Sequence, residues 1–154
     1  MIETLTYRKA TRNDLRAIIN LFLEDDLGKT RESKSSELDN HYIEAFQEID
    51  SNANQYLMVV EKAGEIVGTC HLIIMPSLTF IGKTRMQIEA VHVIQKYRGQ
   101  RIGEWMIQSA IEYAKLKGAS IIQLATNKQR VRAKHFYEKL GFEASHEGMK
   151  MYLK

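Results

Sequence analysis

The residue types best suited to chemistry lie in residues 91–103, where an apolar segment runs into a loop with two glycines. The loop contains three cations, Lys96, Arg98 and Arg101, and no acidic residue. A helical pattern begins directly after it, and the first turn of a helix has unpaired N–H groups and a partial positive charge. Gly99 and Gly103 would let an anionic ligand approach the backbone closely. This arrangement predicts a site for a phosphate-bearing ligand.

Two common phosphate motifs do not account for the loop. The sequence contains neither G-x-x-x-x-G-K-(S/T), which marks a P-loop, nor G-x-G-x-x-G, which marks a dinucleotide site. The pattern that remains is Arg98-x-x-Arg101-Ile102-Gly103, which follows the apolar segment.

Other reactive residue types lack the spacing that their chemistry requires. Cys70 lies in a predicted strand and is interpreted as a small buried residue rather than a nucleophile. No nucleophile elbow points to a covalent route. No metal site is expected, because metal-ligand spacing is absent among His41, His71, His135 and His146.

The elements that must position these residues follow from hydrophobic periodicity. Thr11 and Asp14 predict the capped start of a helix, and Leu15, Ile18 and Phe22 follow on one face. The whole chain, 1–154, is predicted to form one α/β domain, a mixed sheet of about six to seven strands flanked by about four helices. Strands are predicted at 6–10, 55–61, 65–75, 86–93, 120–125, 141–144 and 149–153, and later helices at 37–50, 103–117 and 130–140.

Composition narrows the class of protein. The 154 residues are 44% hydrophobic and 27% charged, values typical of a globular domain. No apolar run reaches the length of a membrane helix, and the first residues do not resemble a signal peptide. With a single cysteine, the chain is expected to be cytoplasmic and not bound to a membrane.

Charge is distributed unevenly along the chain. The net charge is only +3, but basic residues dominate 94–101 and 128–139, whereas acidic residues outnumber basic ones between 31 and 60. No long basic stripe exists, so nucleic acid is not expected as a partner. The separate basic and acidic segments predict a ligand with an anionic end and a partner that is cationic.

The loop resembles the pyrophosphate-binding motif (Q/R)-x-x-G-x-(G/A) of the GNAT superfamily of N-acetyltransferases. Residues 133–142 resemble that family's A-x-x-F-Y-x-x-x-G-F signature, and Asn127 matches a frequent family asparagine. Arg101 departs from the pattern, because it stands where the family has its first glycine. Its backbone N–H survives the change, so phosphate binding is still expected, with the side chain turned away or laid along a phosphate.

The resemblance implies acetyl-CoA as cosubstrate and assigns residues to it. The backbone of Val91 and Val93, with His92 between them, would pair with the pantetheine arm. Asn127 would contact that arm or hold the strands apart, and Lys134, like Lys96 or Arg130, would meet the adenosine phosphates. The pyrophosphate would be held by Arg98, Gly99, Gln100, Arg101, Ile102, Gly103 and Glu104.

The resemblance also implies direct attack of a primary amine on the acetyl carbonyl in a ternary complex. Tyr137 would protonate the departing thiolate, and the N–H of Val93 would stabilise the oxyanion. Glu89 is the candidate base, directly or through water, while Gln87 on the same face cannot serve. The alternative is a catalytically silent protein of the same fold that binds acyl-CoA as a sensor or regulator.

The acceptor is expected to be a small-molecule or peptide amine. In this family the first two helices and the loop between them shape the acceptor side, and here that region is acidic at Glu37, Asp39 and Glu44. A cationic amine, such as a polyamine, an aminoglycoside-like molecule or a lysine side chain, is therefore the hypothesis. A homodimer is left open.

Overall fold

The computed structural model describes residues 4–153. Backbone contacts divide the chain into two compact units, residues 1–123 and 124–154. The strands of one five-stranded sheet lie in the order β1-β2-β3-β4-β5. Their bounds are β1 (Leu5–Lys9), β2 (Gln55–Lys62), β3 (Glu65–Met75), β4 (Thr84–Val93) and β5 (Ala119–Leu124).

Pairing in the sheet follows from how its strands are connected. The pairs β1–β2, β2–β3 and β3–β4 are antiparallel. β4 and β5 are neighbours joined by a helical crossover, the connection that a parallel pair needs, so the sheet is mixed as predicted. The helices are α1 (Leu15–Leu23), α2 (Asp26–Arg31), α3 (Asn40–Asp50), α4 (Thr79–Gly82), α5 (Ile102–Leu116) and α6 (Val131–Lys139).

Helices cover both faces of the sheet within the first unit. Leu57 and Val59 of β2 share a buried cluster with residues of α1 and α3, including Leu15 and Phe46. Side chains alternate along a strand, so Val60 points to the opposite face. There a Cβ added to Gly68 would lie 3.7 Å from Val60 and 3.3 Å from Met106 Sδ of α5. The core is therefore two apolar layers on either side of β2 and β3.

The predicted start of the first helix is confirmed. Thr11 donates its N–H to Asp14 Oδ2 at 2.7 Å, and Asp14 closes a capping box before α1. The same carboxylate accepts from Arg8 Nη1 at 2.7 Å and Nη2 at 2.9 Å. Asp14 thus joins β1 to α1 and satisfies helix-start donors at the same time.

Two sequence predictions differ from the structure. The described residues form six helices rather than about four, because the short helices α2 and α4 were not predicted, and α3 begins at Asn40 rather than at residue 37. The predicted closing strands at 141–144 and 149–153 are wrong, since residues 141–153 contain no strand. Apolar alternation supplies strand propensity, but a strand forms only when its N–H and C=O groups pair with another strand. The sheet consequently has five strands instead of six or seven.

The second unit consists of the last residue of β5, α6 and the residues around them. None of its described residues is buried. Among residues 4–153, no helix is both long and apolar enough to cross a membrane.

Candidate active site

The strand that leads into the loop has an irregularity that the sequence did not predict. Along β3 the pairing steps from Thr69 to His71, while along β4 it steps over three residues, from His92 to Glu89. The extra residue is accommodated at Ala90, whose φ of 52° lies in the left-handed region. Glu89 and Ala90 are both exposed, so the bulge interrupts the regular alternation of the strand. Alanine gives no sequence signal for this conformation, whereas glycine would have.

A hydrogen bond just beyond β4 shows which way the backbone of Val93 points. Ile94 donates its N–H to Val67 O of β3 at 2.8 Å. Successive N–H groups of a strand point to opposite edges, so the N–H of Val93 points away from β3 and toward the β5 side. Val91, two residues earlier, lies within the bulged stretch between Glu89 and His92. These are the two residues predicted to pair with a pantetheine arm.

Polar side chains gather around Glu89 on β3, β4 and β5. Gln87 Nε2 donates to Glu89 Oε1 at 3.0 Å, and Gln123 Nε2 donates to Gln87 Oε1 at 2.8 Å. His71 lies directly opposite Glu89 in the β3–β4 register, and its Nε2 is 2.8 Å from Gln55 Oε1. The predicted base is therefore an exposed carboxylate oriented by hydrogen bonds.

His71 is a member of this group that sequence reasoning considered only as a metal ligand. Burial lowers the pKa of His71, and the nearby charge of Glu89 opposes that shift only in part. The lowered pKa favours the neutral imidazole at neutral pH. Strand register was the missing information, because pattern alone does not pair position 71 with position 89.

The loop between β4 and α5 presents backbone donors to solvent. Arg101 is the N-cap of α5 and adopts φ 63° and ψ 21°, a conformation that glycine adopts without steric cost. The helical ladder begins with Trp105, which donates its N–H to Arg101 O at 3.0 Å. The N–H groups of Ile102, Gly103 and Glu104 therefore precede the ladder and point out of the helix start.

The loop's cations differ in their surroundings. Arg98 and Arg101 are exposed at the loop, as a phosphate site needs. Lys96, one of three candidates for the adenosine phosphates, instead forms an ion pair with Glu65, with Nζ 2.8 Å from Oε2. That hydrogen bond raises the pKa of Lys96 and lowers that of Glu65. Both groups are exposed, so the pair anchors the loop only weakly.

Further contacts hold the loop against the sheet. Lys62 Nζ donates to Gln100 Oε1 at 3.0 Å and lies 4.3 Å from the centre of the Tyr97 ring. At the other end, Gln95 donates its N–H to Glu24 Oε2 at 3.0 Å. The loop is thus tied at both ends, while its middle stays open at Gly99, whose φ is 85° and whose Cβ position has no neighbour within 4 Å.

The remaining predicted residues lie in the second unit. Asn127 Oδ1 accepts from the N–H of Gln129 at 2.9 Å, and the Asn127 carbonyl accepts from the N–H of Arg130 at 2.9 Å. Asn127 therefore shapes the turn that leads into α6. Lys134 is exposed on the first turn of that helix.

Tyr137 lies at the centre of an aromatic group formed by residues of the 133–142 motif. Its ring packs edge-on against Phe136, with centroids 5.1 Å apart, and against Phe142 at 5.8 Å. The N–H of Phe142 donates to Tyr137 O at 3.1 Å, which closes the chain over the end of α6. The spacing F-Y-x-x-x-G-F thus makes a local aromatic unit that fixes the orientation of the Tyr137 ring.

Comparisons with known proteins agree with these motifs. A family model described as "Acetyltransferase (GNAT) family" matches residues 15–142. An uncharacterized N-acetyltransferase of Methanocaldococcus jannaschii is 30% identical over 149 residues, which cover 93% of this chain and 62% of that protein. A glucosamine 6-phosphate N-acetyltransferase of Trypanosoma brucei brucei is 34% identical over 91 residues, which cover 59% of this chain and 60% of that protein. The chain thus spans about three fifths of these curated relatives.

A solved structure is also similar. The crystal structure of a protein described as a transcriptional regulator from Bacillus halodurans C-125 is 43% identical, with a TM-score of 0.94. The match covers 97% of this chain and 100% of that one. The family match spans most of the chain and includes the loop, the bulged strand and the aromatic motif, and this protein belongs to the acetyltransferase (GNAT) family.

Proposed function

We propose that this protein transfers an acetyl group from acetyl-CoA to a primary amine by direct attack in a ternary complex. The observation that carries the proposal is the start of α5. There Arg101 holds the turn that presents three N–H groups, beside two exposed guanidinium groups. A pyrophosphate is a ligand that such a helix start and two arginines would bind well.

The residues fit the rest of acetyl-CoA in the same way. The N–H and C=O of Val93 point away from β3: the C=O is left to pair with an extended pantetheine arm, with Val91 as the second proposed contact, and the N–H is left for the acetyl carbonyl oxygen. Gly99 leaves room above the loop for the phosphates, and Gln100 lies beside it. In the second unit, Asn127 and Lys134 remain the proposed contacts for the arm and the adenosine phosphates.

The proposed chemistry requires three proton transfers. Glu89 takes a proton from the ammonium form of the acceptor, directly or through a water molecule, which frees the nitrogen lone pair. The new C–N bond forms as the C–S bond breaks, and the N–H of Val93 stabilises the charge on the carbonyl oxygen. Tyr137 then gives its phenolic proton to the CoA thiolate, and the second proton lost by the acylated nitrogen passes through solvent to the tyrosinate, which leaves a neutral amide and a neutral thiol.

The acceptor is proposed to be a small-molecule amine. Glu89, Gln87 and His71 share the face of the sheet that α1 and α3 cover. Glu37 and Asp39, in the acidic segment before α3, are exposed and would favour a cationic amine. The Trypanosoma relative is named for a phosphorylated amino sugar, which makes that class the second one to test.

An amine panel with acetyl-CoA tests the proposal. Polyamines, aminoglycosides, lysine peptides and phosphorylated amino sugars are each incubated with the protein, and acetylated product and free CoA are measured by mass. Turnover of at least one class is expected. Tyr137→Phe should lower kcat by roughly 10²-fold or more if Tyr137 is the acid. Phe136→Leu, on the same helix, controls for lost aromatic packing.

The same experiment separates the enzyme from the silent alternative. A regulator that only senses acyl-CoA would bind acetyl-CoA, measured by calorimetry, without acetylating any amine in the panel. The relative described as a transcriptional regulator makes this outcome worth resolving. Binding without turnover would refute the catalytic proposal and leave the loop assignment intact.

A further inference from the structure

A line of polar side chains runs along one face of β4. Arg85, Gln87 and Glu89 alternate with the buried Met86 and Ile88, so the polar side chains share one face of the sheet. The first two are half-buried and the third is exposed. Polar groups that are partly removed from water cost free energy unless they are hydrogen-bonded, so these side chains need partners.

Gln123 of β5 joins these side chains into one continuous chain of hydrogen bonds. Arg85 Nη1 donates to Gln123 Oε1 at 3.1 Å, and Gln123 Nε2 donates to Gln87 Oε1 at 2.8 Å. Gln87 Nε2 then donates to Glu89 Oε1 at 3.0 Å. This series, which we call the Arg85–Glu89 chain, connects a guanidinium group through two amides to the carboxylate proposed as the base.

The two ends of the chain determine the orientation of both amides. A guanidinium group can only donate hydrogen bonds, and an ionised carboxylate can only accept them. Each amide between them therefore turns its oxygen toward Arg85 and its NH₂ group toward Glu89. Turning either amide around would set one oxygen against another, or one NH₂ group against another donor. The chain consequently has a single direction, and it presents a donor to Glu89.

The first donor of the chain is itself held in place. Arg85 Nη2 donates to Thr79 Oγ1 of α4 at 2.9 Å, and the Arg85 guanidinium carbon lies 5.2 Å from the centre of the Phe80 ring. Thr79 Oγ1 also lies 2.9 Å from Ser77 Oγ. Arg85 is therefore fixed by the α4 segment on one side and by β5 on the other.

Arg85 reaches Glu89 through the two amides rather than directly. The two residues are four positions apart on β4, so their Cα atoms are separated by roughly 13 Å at the rise of a strand. Among residues 4–153 no ion pair joins them. Salt screens charges at such separations, because the Debye length is about 8 Å at physiological ionic strength. Within residues 4–123, Oε2 of Glu89 accepts no hydrogen bond, so only Oε1 is held.

We propose that Arg85 and Gln123 are positioning residues of the acetyl transfer. Acting through Gln87, they hold Oε1 of Glu89 and leave Oε2 to take the proton from the acceptor. This assignment rests on the proposed function, in which Glu89 is the base. A free glutamate side chain samples many rotamers, whereas a carboxylate that is already held spends more time in the productive orientation. The chain should therefore raise kcat without acting on the donor.

Gln123→Glu separates the direction of the chain from its packing. The introduced carboxylate still accepts from Arg85 but cannot donate to Gln87, so the side chain stays anchored while the chain is broken. With the best amine of the panel, kcat should fall roughly three- to tenfold, the contribution of one hydrogen bond. The KM for acetyl-CoA should stay unchanged. Gln108→Glu, the same change at an exposed position of α5, should alter neither constant.

Combined variants distinguish positioning from a general structural effect. Glu89→Gln removes the base, so adding Gln123→Glu to it should change kcat by less than about twofold. Arg85→Leu, at the far end of the chain, should behave like Gln123→Glu, both alone and in combination. Equal losses in the presence and absence of Glu89 would mean that these residues act elsewhere, and would overturn the assignment.

The results also distinguish this assignment from the proposed function. A wild type that acetylates no amine refutes the transfer, and an unimpaired Glu89→Gln variant refutes the base; either result overturns the assignment as well. A wild type with turnover whose Gln123→Glu variant matches Gln108→Glu overturns the assignment alone.

Side-chain amide NMR decides the matter if Gln123→Glu does not fold. In ¹⁵N-labelled Arg85→Leu the Gln87 NH₂ signal should move, because Arg85 contacts Gln123 and Gln123 contacts Gln87. The Gln108 signal should stay in place. An unmoved Gln87 signal would show that the amides are not coupled and would overturn the assignment.

Discussion

Replacing Arg101 with glycine should stabilise the protein, because Arg101 holds a conformation that costs an ordinary residue free energy. Its φ of 63° and ψ of 21° place it in the left-handed region, at about 1–2 kcal/mol above the right-handed one. Glycine removes this cost, but its greater chain entropy stabilises the unfolded state by about 0.4–1 kcal/mol. The net expectation is a gain of roughly 0.5–1 kcal/mol in the free energy of unfolding.

Urea unfolding of the purified protein measures this gain. Ala63→Gly is the matched control, since Ala63 has φ 51° in the turn between β2 and β3, outside the candidate site. It should give a gain of similar size. Gly99→Ala, at φ 85°, should lose roughly 1 kcal/mol, because alanine would take on the strain that glycine avoids. The melting temperature of Arg101→Gly should rise by about 2–3 °C.

Measuring acetyl-CoA affinity separates the contribution of the Arg101 side chain to binding from the effect of its backbone conformation on stability. Losing one exposed guanidinium should weaken acetyl-CoA binding by up to about tenfold, while Ala63→Gly leaves binding unchanged. If Arg101→Gly were less stable than the wild type while Ala63→Gly was more stable, the left-handed assignment at Arg101 would be refuted.

Three further results follow from buried groups. The hydrogen bonds from Arg8 lower the pKa of Asp14 below its ordinary value of 3.8, so its stabilisation is present at neutral pH and is lost as pH falls through that lowered pKa. Asp14→Asn should cost about 1–2 kcal/mol at pH 7 and progressively less as pH falls below 3.8, measured by urea unfolding. Burial raises the pKa of Cys70 to about 12, so a thiol reagent at pH 8 should label it only as fast as the protein unfolds. A Cβ on Gly28 would lie 1.9 Å from Phe22 O, so Gly28→Ala should displace α2 and lower stability by roughly 2–3 kcal/mol in a thermal melt.

Local sequence signals predicted the elements that position the site. β3 occurs at Glu65–Met75 as its apolar run and flanking turns indicated, and Asp14 caps the first helix as its spacing from Thr11 indicated. The loop and the aromatic motif depend on short spacings along the chain, which the sequence displays directly. The family assignment was reached from these two motifs and is confirmed.

The features that sequence patterns missed depend on contacts between distant segments. Ala90 takes a left-handed conformation because β3 and β4 pair out of step there, and nothing in an alanine signals this. His71 meets Glu89 only through strand register. The expected closing strands failed for a related reason, since an alternating pattern becomes a strand only where an edge pairs with it.

Direct transfer of the acetyl group is the central claim, and a single-turnover experiment with acetyl-labelled acetyl-CoA tests it. The protein is mixed with the labelled donor, first alone and then with the amine that gives the highest turnover in the panel. The account predicts no label on the protein without amine, and labelled amine with one equivalent of free CoA after amine is added. Label retained covalently on the protein, or no labelled amine at saturating donor, would contradict the account.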